Sequence, residues 1–105
     1  MKRDDLNLDL LAALECNGHG ALVERIAEVL ATIEGENEER DWHWIVRLDD
    51  GFAYITGGCD NTGWDCHSDC AVFEEPTIDA CLRQVGDVER PTLREQLPGA
   101  LRGRP

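Results

Sequence analysis

A cysteine-rich segment over residues 57–70 holds most of the side chains in this chain that could do chemistry. Its sequence, GGCDNTGWDCHSDC, contains three of the five cysteines, one of the three histidines and three aspartates. Thiolate, imidazole and carboxylate groups are metal ligands, and a thiolate is also a nucleophile and a redox group. The segment is therefore compatible with a metal site, a reversible disulfide, a catalytic thiol or a rigid loop.

A zinc site would use Cys59, Cys66 and Cys70 as thiolate ligands. If the end of the segment forms a helical turn, Cys66 and Cys70 share one face, and His67 or His19 would complete a tetrahedral site. The segment has no CxxC pair and no zinc-finger spacing, and His67 would point away from the cysteine face. We therefore expect no cofactor, with zinc bound by these residues as the alternative.

A thiol-redox function would pair Cys59 with Cys66 in a reversible disulfide. The neighbouring aspartates disfavour a negatively charged thiolate, and no basic cluster offsets them. A catalytic cysteine needs a histidine held beside it, and no spacing in the chain ties these two residue types together. The aspartates also lack the alternation of a calcium-binding loop. We therefore expect a non-enzymatic protein, with a small thiol-redox protein as an alternative.

The segment also has the composition of a rigid turn. Its glycines permit tight turns, its aspartates can bond to nearby amides, and its tryptophan can pack against a sheet. The structural residues assigned to this turn are Gly57, Gly58, Asp60, Gly63, Trp64 and Asp65. Of the other two cysteines, Cys81 falls on the apolar face of a predicted helix and Cys16 near a helix end. We expect both in the core.

The elements that position this segment follow from the spacing of apolar residues. Helical spacing predicts one helix ending near Glu15 and a second over residues 21–33, folded into an antiparallel hairpin by a short connection. The period then changes to two over residues 42–48, Asp50-Gly51 suits a β-turn, and residues 52–56 form the return strand.

This alternation gives the hairpin two different faces. The residues expected to face the helices are Trp42, Trp44, Val46 and Leu48. The predicted register sets Leu48 opposite Ala53. His43, Arg47 and Tyr54 fall on the other face, which is exposed if only the N-terminal helices cover the sheet. Arg47 and Tyr54 are therefore candidate partner contacts.

The C-terminal third predicts one more strand and one or two helices. The sequence predicts a strand over residues 71–74 and a helix capped by Thr77. A capping box at Thr92 predicts the start of a short second helix. The chain is thus predicted to be a single α+β domain. Its parts are a helical hairpin over 1–34, a three-stranded antiparallel sheet over 42–75, C-terminal helices over 77–97 and a flexible basic tail over 98–105.

The charge of the chain limits its partners. The 105 residues carry a net charge of −12, which repels phosphate backbones and argues against nucleic acid binding. It suits a basic protein surface, and Glu36, Glu38 and Glu39 of an acidic loop are candidate contacts. No apolar run is long enough to span a membrane, and the N-terminus does not resemble a secretory signal. We therefore expect a cytoplasmic location without membrane association.

The residues from Trp42 to Ser68, WHWIVRLDDGFAYITGGCDNTGWDCHS, resemble a group of small bacteriophage and bacterial proteins with a similar aromatic hairpin and a GGCDxTGWDCxS-like loop. The matching loop residues are Cys59, Asp60, Gly63, Trp64, Asp65 and Cys66. The group tends to have Gln at the position of His67, and it does not regularly have a cysteine at the position of Cys70. The resemblance implies no catalytic residue and favours a structural or two-cysteine role.

Charge, size and resemblance together predict a small acidic binding protein without enzymatic activity. It would be a phage or mobile-element accessory that docks on a basic site of a host protein, and an anti-defence inhibitor fits this description. The alternatives are a zinc-binding structural or regulatory module and a thiol-redox protein.

Overall fold

A computed structural model describes residues 8–35, 41–58 and 70–97 of the chain. The elements in these ranges are, in order, α1 (Leu8–Cys16), α2 (Gly20–Val23), β1 (Ile26–Ile33), β2 (Trp42–Leu48), β3 (Gly51–Gly57), β4 (Ala71–Glu75), α3 (Ile78–Gln84) and α4 (Arg90–Gln96). The strands form one antiparallel sheet in the order β1-β2-β3-β4. The α+β class is confirmed, but the sheet has four strands instead of three.

The predicted N-terminal helical hairpin is wrong, because β1 lies where the second helix was expected. Only the single turn Gly20–Val23 is helical, and the chain is a strand from Ile26 onward. The pairing of β1 with β2 is irregular, with register shifts between Ile26 and Glu28 and between Val29 and Ala31. These shifts change which side chains face each layer, so the apolar residues of β1 recur at helix-like spacing.

Both faces of the sheet are covered, which corrects the expectation of one exposed face. The residues buried between the first face and α1 and α2 include Leu10, Leu14, Leu22, Ile26, Trp44, Val46 and Ile55. The residues buried between the second face and α3 and α4 include Leu30, Ala31, Ile45, Tyr54, Cys81, Leu82, Val85, Leu93 and Leu97. The prediction that Trp42 and Trp44 pack in the core is confirmed, since they are 8% and 1% exposed. Among the described residues, no helix has the length and apolar character to cross a membrane.

The β2–β3 hairpin forms with a register two residues from the predicted one. Leu48 pairs with Gly51 and Val46 with Ala53, so Asp49 and Asp50 occupy the turn. A shift by two residues leaves every side chain on its predicted face, because side chains alternate with a period of two. Gly51 also meets a steric need, since a Cβ there would lie 3.0 Å from the carbonyl oxygen of Glu75.

The two C-terminal helices pack on the second face and are joined by Arg90. The cap at Thr77 is confirmed, because its side chain accepts a hydrogen bond from the amide of Ala80 at 3.1 Å. The predicted capping box at Thr92 is wrong, because α4 already begins at Arg90. The guanidinium of Arg90 donates to the carbonyl oxygens of Leu82 at 2.8 Å and Val85 at 2.7 Å. It thereby satisfies carbonyl groups at the end of α3.

One side chain of α4 closes the outer edge of β1. The amide of Thr32 donates to Oε1 of Gln96 at 2.9 Å, and Nε2 of Gln96 donates to the carbonyl oxygen of Thr32 at 2.8 Å. A carboxamide thus makes the two hydrogen bonds that a neighbouring strand would make. We call this contact the edge clip.

Candidate functional site

The outer edge of β4 is one of the two edges of the sheet. β4 pairs with β3 along its whole length, from Thr56 opposite Ala71 to Phe52 opposite Glu75. Within the described ranges, no strand pairs with its other side and no side chain bonds to it as Gln96 bonds to β1. An edge of this kind offers unpaired backbone groups to another chain.

A groove of about 300 Å³ runs beside β4 on the first face of the sheet. Its walls include His19 from the α1–α2 connection, Arg25 at the start of β1, and Val72 and Glu74 from β4. Val72 packs against the core below, whereas Glu74 is exposed to solvent. The groove therefore has an apolar floor and charged walls.

The position of His19 in the groove depends on the end of α1. Gly18 has a φ of 83°, and the amide of His19 donates to the carbonyl oxygen of Leu14 at 2.8 Å. The bond and the left-handed residue match a Schellman C-cap, in which glycine is preferred because it has no Cβ. The side chain of Asn17 adds a bond to the carbonyl oxygen of Ala13 at 2.8 Å.

Arg25 links the groove to the β2–β3 turn. Its Nη2 atom lies 2.8 Å from Oε1 of Glu74 and 2.9 Å from Oδ1 of Asp50. The hydrogen bond to Glu74, followed by the one to Asp50, raises the pKa of Arg25 above its ordinary value. All three side chains are solvent-exposed to a third or more, so the ion pairs stabilise the fold only weakly. One arginine neutralises one of the two carboxylates, which leaves this corner negative.

A row of stacked rings crosses the second face and ends at the β4 edge. The ring centroids of His43 and Tyr54 are 6.0 Å apart, and those of Tyr54 and Phe73 are 5.8 Å apart. His43 and Tyr54 are buried, whereas Phe73 is 36% exposed. The outer ring of the row is thus open to solvent at the strand edge.

The buried end of this row is held by hydrogen bonds. The hydroxyl of Thr56 donates to the carbonyl oxygen of Trp42 at 3.0 Å, and the hydroxyl of Tyr54 forms a hydrogen bond with Nδ1 of His43 at 2.7 Å. Burial lowers the pKa of His43, although Glu89 and Asp41 oppose this. Burial has the opposite effect on Tyr54 and raises its pKa.

The structure corrects two of the predicted positions, one on the surface and one in the core. Tyr54 is only 3% exposed because α3 and α4 cover it, so the expectation that its side chain faces solvent is wrong. Arg47 is exposed, and its Nε atom lies 3.5 Å from Oε1 of Glu28 across the β1–β2 pair. Cys16 is exposed, not buried. The core position of Cys81 is confirmed, and burial raises the pKa of its thiol to about 12.

Most of the cysteine-rich segment lies outside the described residues. This applies to the ligand candidates Cys59, Cys66 and His67, to the loop residues Asp60, Gly63, Trp64 and Asp65, and to the acidic residues Glu36, Glu38 and Glu39. Gly57 ends β3 opposite Trp42, Gly58 follows it, and Cys70 is half-buried just before β4. Within residues 8–35, 41–58 and 70–97, no three His, Cys, Asp or Glu side chains come together in a way that could hold a metal ion.

Sequence reasoning placed a strand at residues 71–74 but did not identify it as an open edge. The available signal was the sequence AVFEEP, in which an exposed-face phenylalanine is followed by two glutamates and a proline. Charged residues and proline are typical of edge strands. Comparison of the chain with protein-family models, with curated proteins and with solved structures finds no match.

Proposed function

We propose that this protein is a small acidic binding protein without enzymatic activity that docks on a basic site of another protein. The observation that carries the proposal is the excess of carboxylates over cations on the folded surface. The described residues include 14 acids and 5 arginines, which gives them a net charge of −9. Such a surface attracts a basic partner and repels the backbone of nucleic acids.

The few described cations do little to reduce this charge locally, because several already pair with acids. Arg25 pairs with Asp50 and Glu74, Arg47 with Glu28, and Arg90 with Asp87. Other acids, such as Glu24, Glu34 and Asp49, are exposed. The electrostatic potential close to these exposed acids is therefore negative, as the net charge of the described residues also requires.

The resemblance of residues 42–68 to small phage and bacterial proteins suggests what kind of partner this is. A phage or mobile-element accessory acts on proteins of its host, and a basic host site that handles nucleic acid matches an acidic surface. An inhibitor of a host defence protein would work in this way, by occupying the site in place of nucleic acid. The zinc-binding and thiol-redox alternatives are favoured by no observation among the described residues.

The experiment is capture of partners from bacterial lysate by the immobilised full chain, repeated at about 0.1 M and about 1 M salt, where the Debye length falls from about 10 Å to about 3 Å. We expect basic proteins to be captured at low salt and released at high salt. A chain carrying Glu24→Gln and Asp49→Asn should capture less. The matched control with Arg83→Gln and Arg94→Gln should capture as much or more. Partners held equally at both salt concentrations would overturn the proposal.

A further inference from the structure

We propose that the outer edge of β4 binds an arginine-bearing extended segment of the partner, which adds to the sheet as a fifth strand. This inference rests on the proposed function, because it names the surface and the chemistry by which an acidic binding protein would hold a basic partner. Three observations support it: the difference between the two sheet edges, the exposed end of the row of stacked rings and the negative charge around β4.

Within the described ranges, one edge of the sheet is occupied by a side chain and the other is not. At β1, the carboxamide of Gln96 occupies the amide and the carbonyl oxygen of Thr32. At β4, no described group does the same for residues 71–75, although the strand is held in place by β3 along its full length. A fixed strand with a free side is the template that strand addition requires.

Phe73 indicates which side chain the added strand should carry. Directly opposite residues in neighbouring antiparallel strands lie on the same face, as Tyr54 and Phe73 do. A partner residue opposite Phe73 would therefore continue the row of stacked rings beyond its exposed end. A planar guanidinium stacks well on an aromatic face.

The negative charge near Phe73 favours an arginine over a further aromatic ring at the partner position opposite Phe73. Glu75 lies on the same face as Phe73, two residues further along β4, which is within diagonal reach of a long side chain opposite Phe73. One oxygen of Glu75 accepts from Nε2 of Gln84 at 2.9 Å, and a carboxylate accepts further hydrogen bonds. A guanidinium would thus contact a ring and a carboxylate together.

The same charges argue against a second copy of this chain as the occupant. Glu74 and Glu75 lie on β4, and Asp49 and Asp50 lie on the turn beside its end, with Arg25 as their nearby cation. The described residues of each copy carry a net charge of −9, so pairing two β4 edges would bring two acidic surfaces together, and their repulsion opposes this dimer.

The test measures binding of a fluorescein-labelled peptide that alternates arginine with valine to the full chain by fluorescence anisotropy. We expect Phe73→Leu and Glu75→Gln each to weaken binding by about 2- to 5-fold, the factor that corresponds to about 0.5–1 kcal/mol for an exposed cation–π or ion-pair contact. Val88→Ala and Glu34→Gln are the matched controls and should leave affinity unchanged. The first removes the other large exposed apolar side chain of the described residues, and the second removes an acid beyond the opposite edge.

Two further peptides separate strand addition from simple charge attraction. A peptide with proline in place of valine keeps the charge but loses backbone donors, and one with citrulline in place of arginine keeps the shape but loses the charge. We expect both to bind at least several-fold more weakly, and we expect the backbone amide resonances of residues 71–75 to shift only with the parent peptide. Equal binding of the proline peptide, or no effect of Phe73→Leu and Glu75→Gln, would overturn the inference. Salt-dependent capture of basic partners could still hold in that case, so the proposed function would stand.

Discussion

The hydroxyl of Tyr54 lies 2.7 Å from Nδ1 of His43, and the two aromatic rings are parallel to within 3°. These side chains come from neighbouring strands and are both buried beneath the C-terminal helices. The pair is the principal polar contact within an otherwise apolar layer of the described structure. Its hydrogen bond and its protonation state therefore matter for stability.

Replacing Tyr54 by Phe should destabilise the fold while leaving the shape of the core unchanged. The ring remains, but Nδ1 of His43 loses its hydrogen bond to the hydroxyl, and an unsatisfied buried polar group costs about 1–3 kcal/mol. Chemical denaturation followed by tryptophan fluorescence measures this loss in the free energy of unfolding. An unchanged midpoint would show that the contact with Thr56, whose hydroxyl lies 3.3 Å from Nδ1, is enough to satisfy His43.

The stability of the protein should fall as the pH drops below about 6.5. The pKa of His43 is lowered in the folded state from its ordinary value of 6.5, so between the two values the unfolded chain binds more protons than the folded one. The contribution of His43 is complete above pH 6.5 and decreases below it until both states are protonated. Unfolding measured across this range should show a weaker pH dependence in His43→Gln than in the parent protein, since His19 and His67 are present in both. Equal slopes would contradict the prediction.

Replacement by alanine should have different effects on stability at two glycines near the groove. Gly18 has a φ of 83°, whereas Gly20 does not have a positive φ, and a Cβ added to either residue would meet no other atom within 4 Å. Gly18→Ala should therefore cost about 1–2 kcal/mol through backbone strain alone. Gly20→Ala, in the first turn of α2, should be neutral or slightly stabilising. Thermal unfolding of the two variants compares them directly, and equal effects would argue against the left-handed cap.

Loss of the edge clip should free the outer side of β1. Gln96→Ala removes both bonds to Thr32, and we expect a decrease of about 1–2 kcal/mol in the free energy of unfolding. Hydrogen exchange at the Thr32 amide should become faster. Gln84→Ala is the matched control, because it removes an exposed side-chain bond to Glu75 and leaves β1 intact. Unchanged exchange at Thr32 in Gln96→Ala would show that the clip does not protect this edge.

Cys16 and Cys81 should differ strongly in reactivity toward iodoacetamide. Cys16 is exposed at the end of α1, whereas Cys81 is fully buried with the pKa of its thiol raised to about 12. In the native protein we expect Cys16 to be alkylated and Cys81 to be protected until the protein unfolds. Peptide mass spectrometry after timed labelling measures each site separately. Rapid labelling of native Cys81 would contradict the burial of α3 against the sheet.

The β2–β3 hairpin could be predicted from sequence because one face of β2 is apolar along its whole length. Trp42, Trp44, Val46 and Leu48 alternate with His43 and Arg47, and the structure keeps this division. Local sequence did not determine the exact pairing, since registers that differ by two residues preserve both faces. The position of Gly51 is explained by its close approach to Glu75, a contact between residues far apart in sequence.

β1 could not be recognised from periodicity, because it is buried on both faces and paired irregularly. Ile26 and Val29 pack toward α1 and α2, while Leu30, Ala31 and Ile33 pack toward α3 and α4. A strand that contributes to two layers loses the two-residue alternation, and its apolar residues then match a helix just as well. The β-branched residues among them were the remaining signal in favour of a strand.

The edge clip also has a consequence for how the chain is made. Thr32 and Gln96 are 64 positions apart, so an emerging chain completes β1 long before the residue that closes its edge leaves the ribosome. During that interval β1 can pair with any other exposed strand, as edges do in aggregation. The acidic residues synthesised in the same interval repel neighbouring copies, and the chain's negative charge therefore protects the nascent sheet before α4 exists to do so.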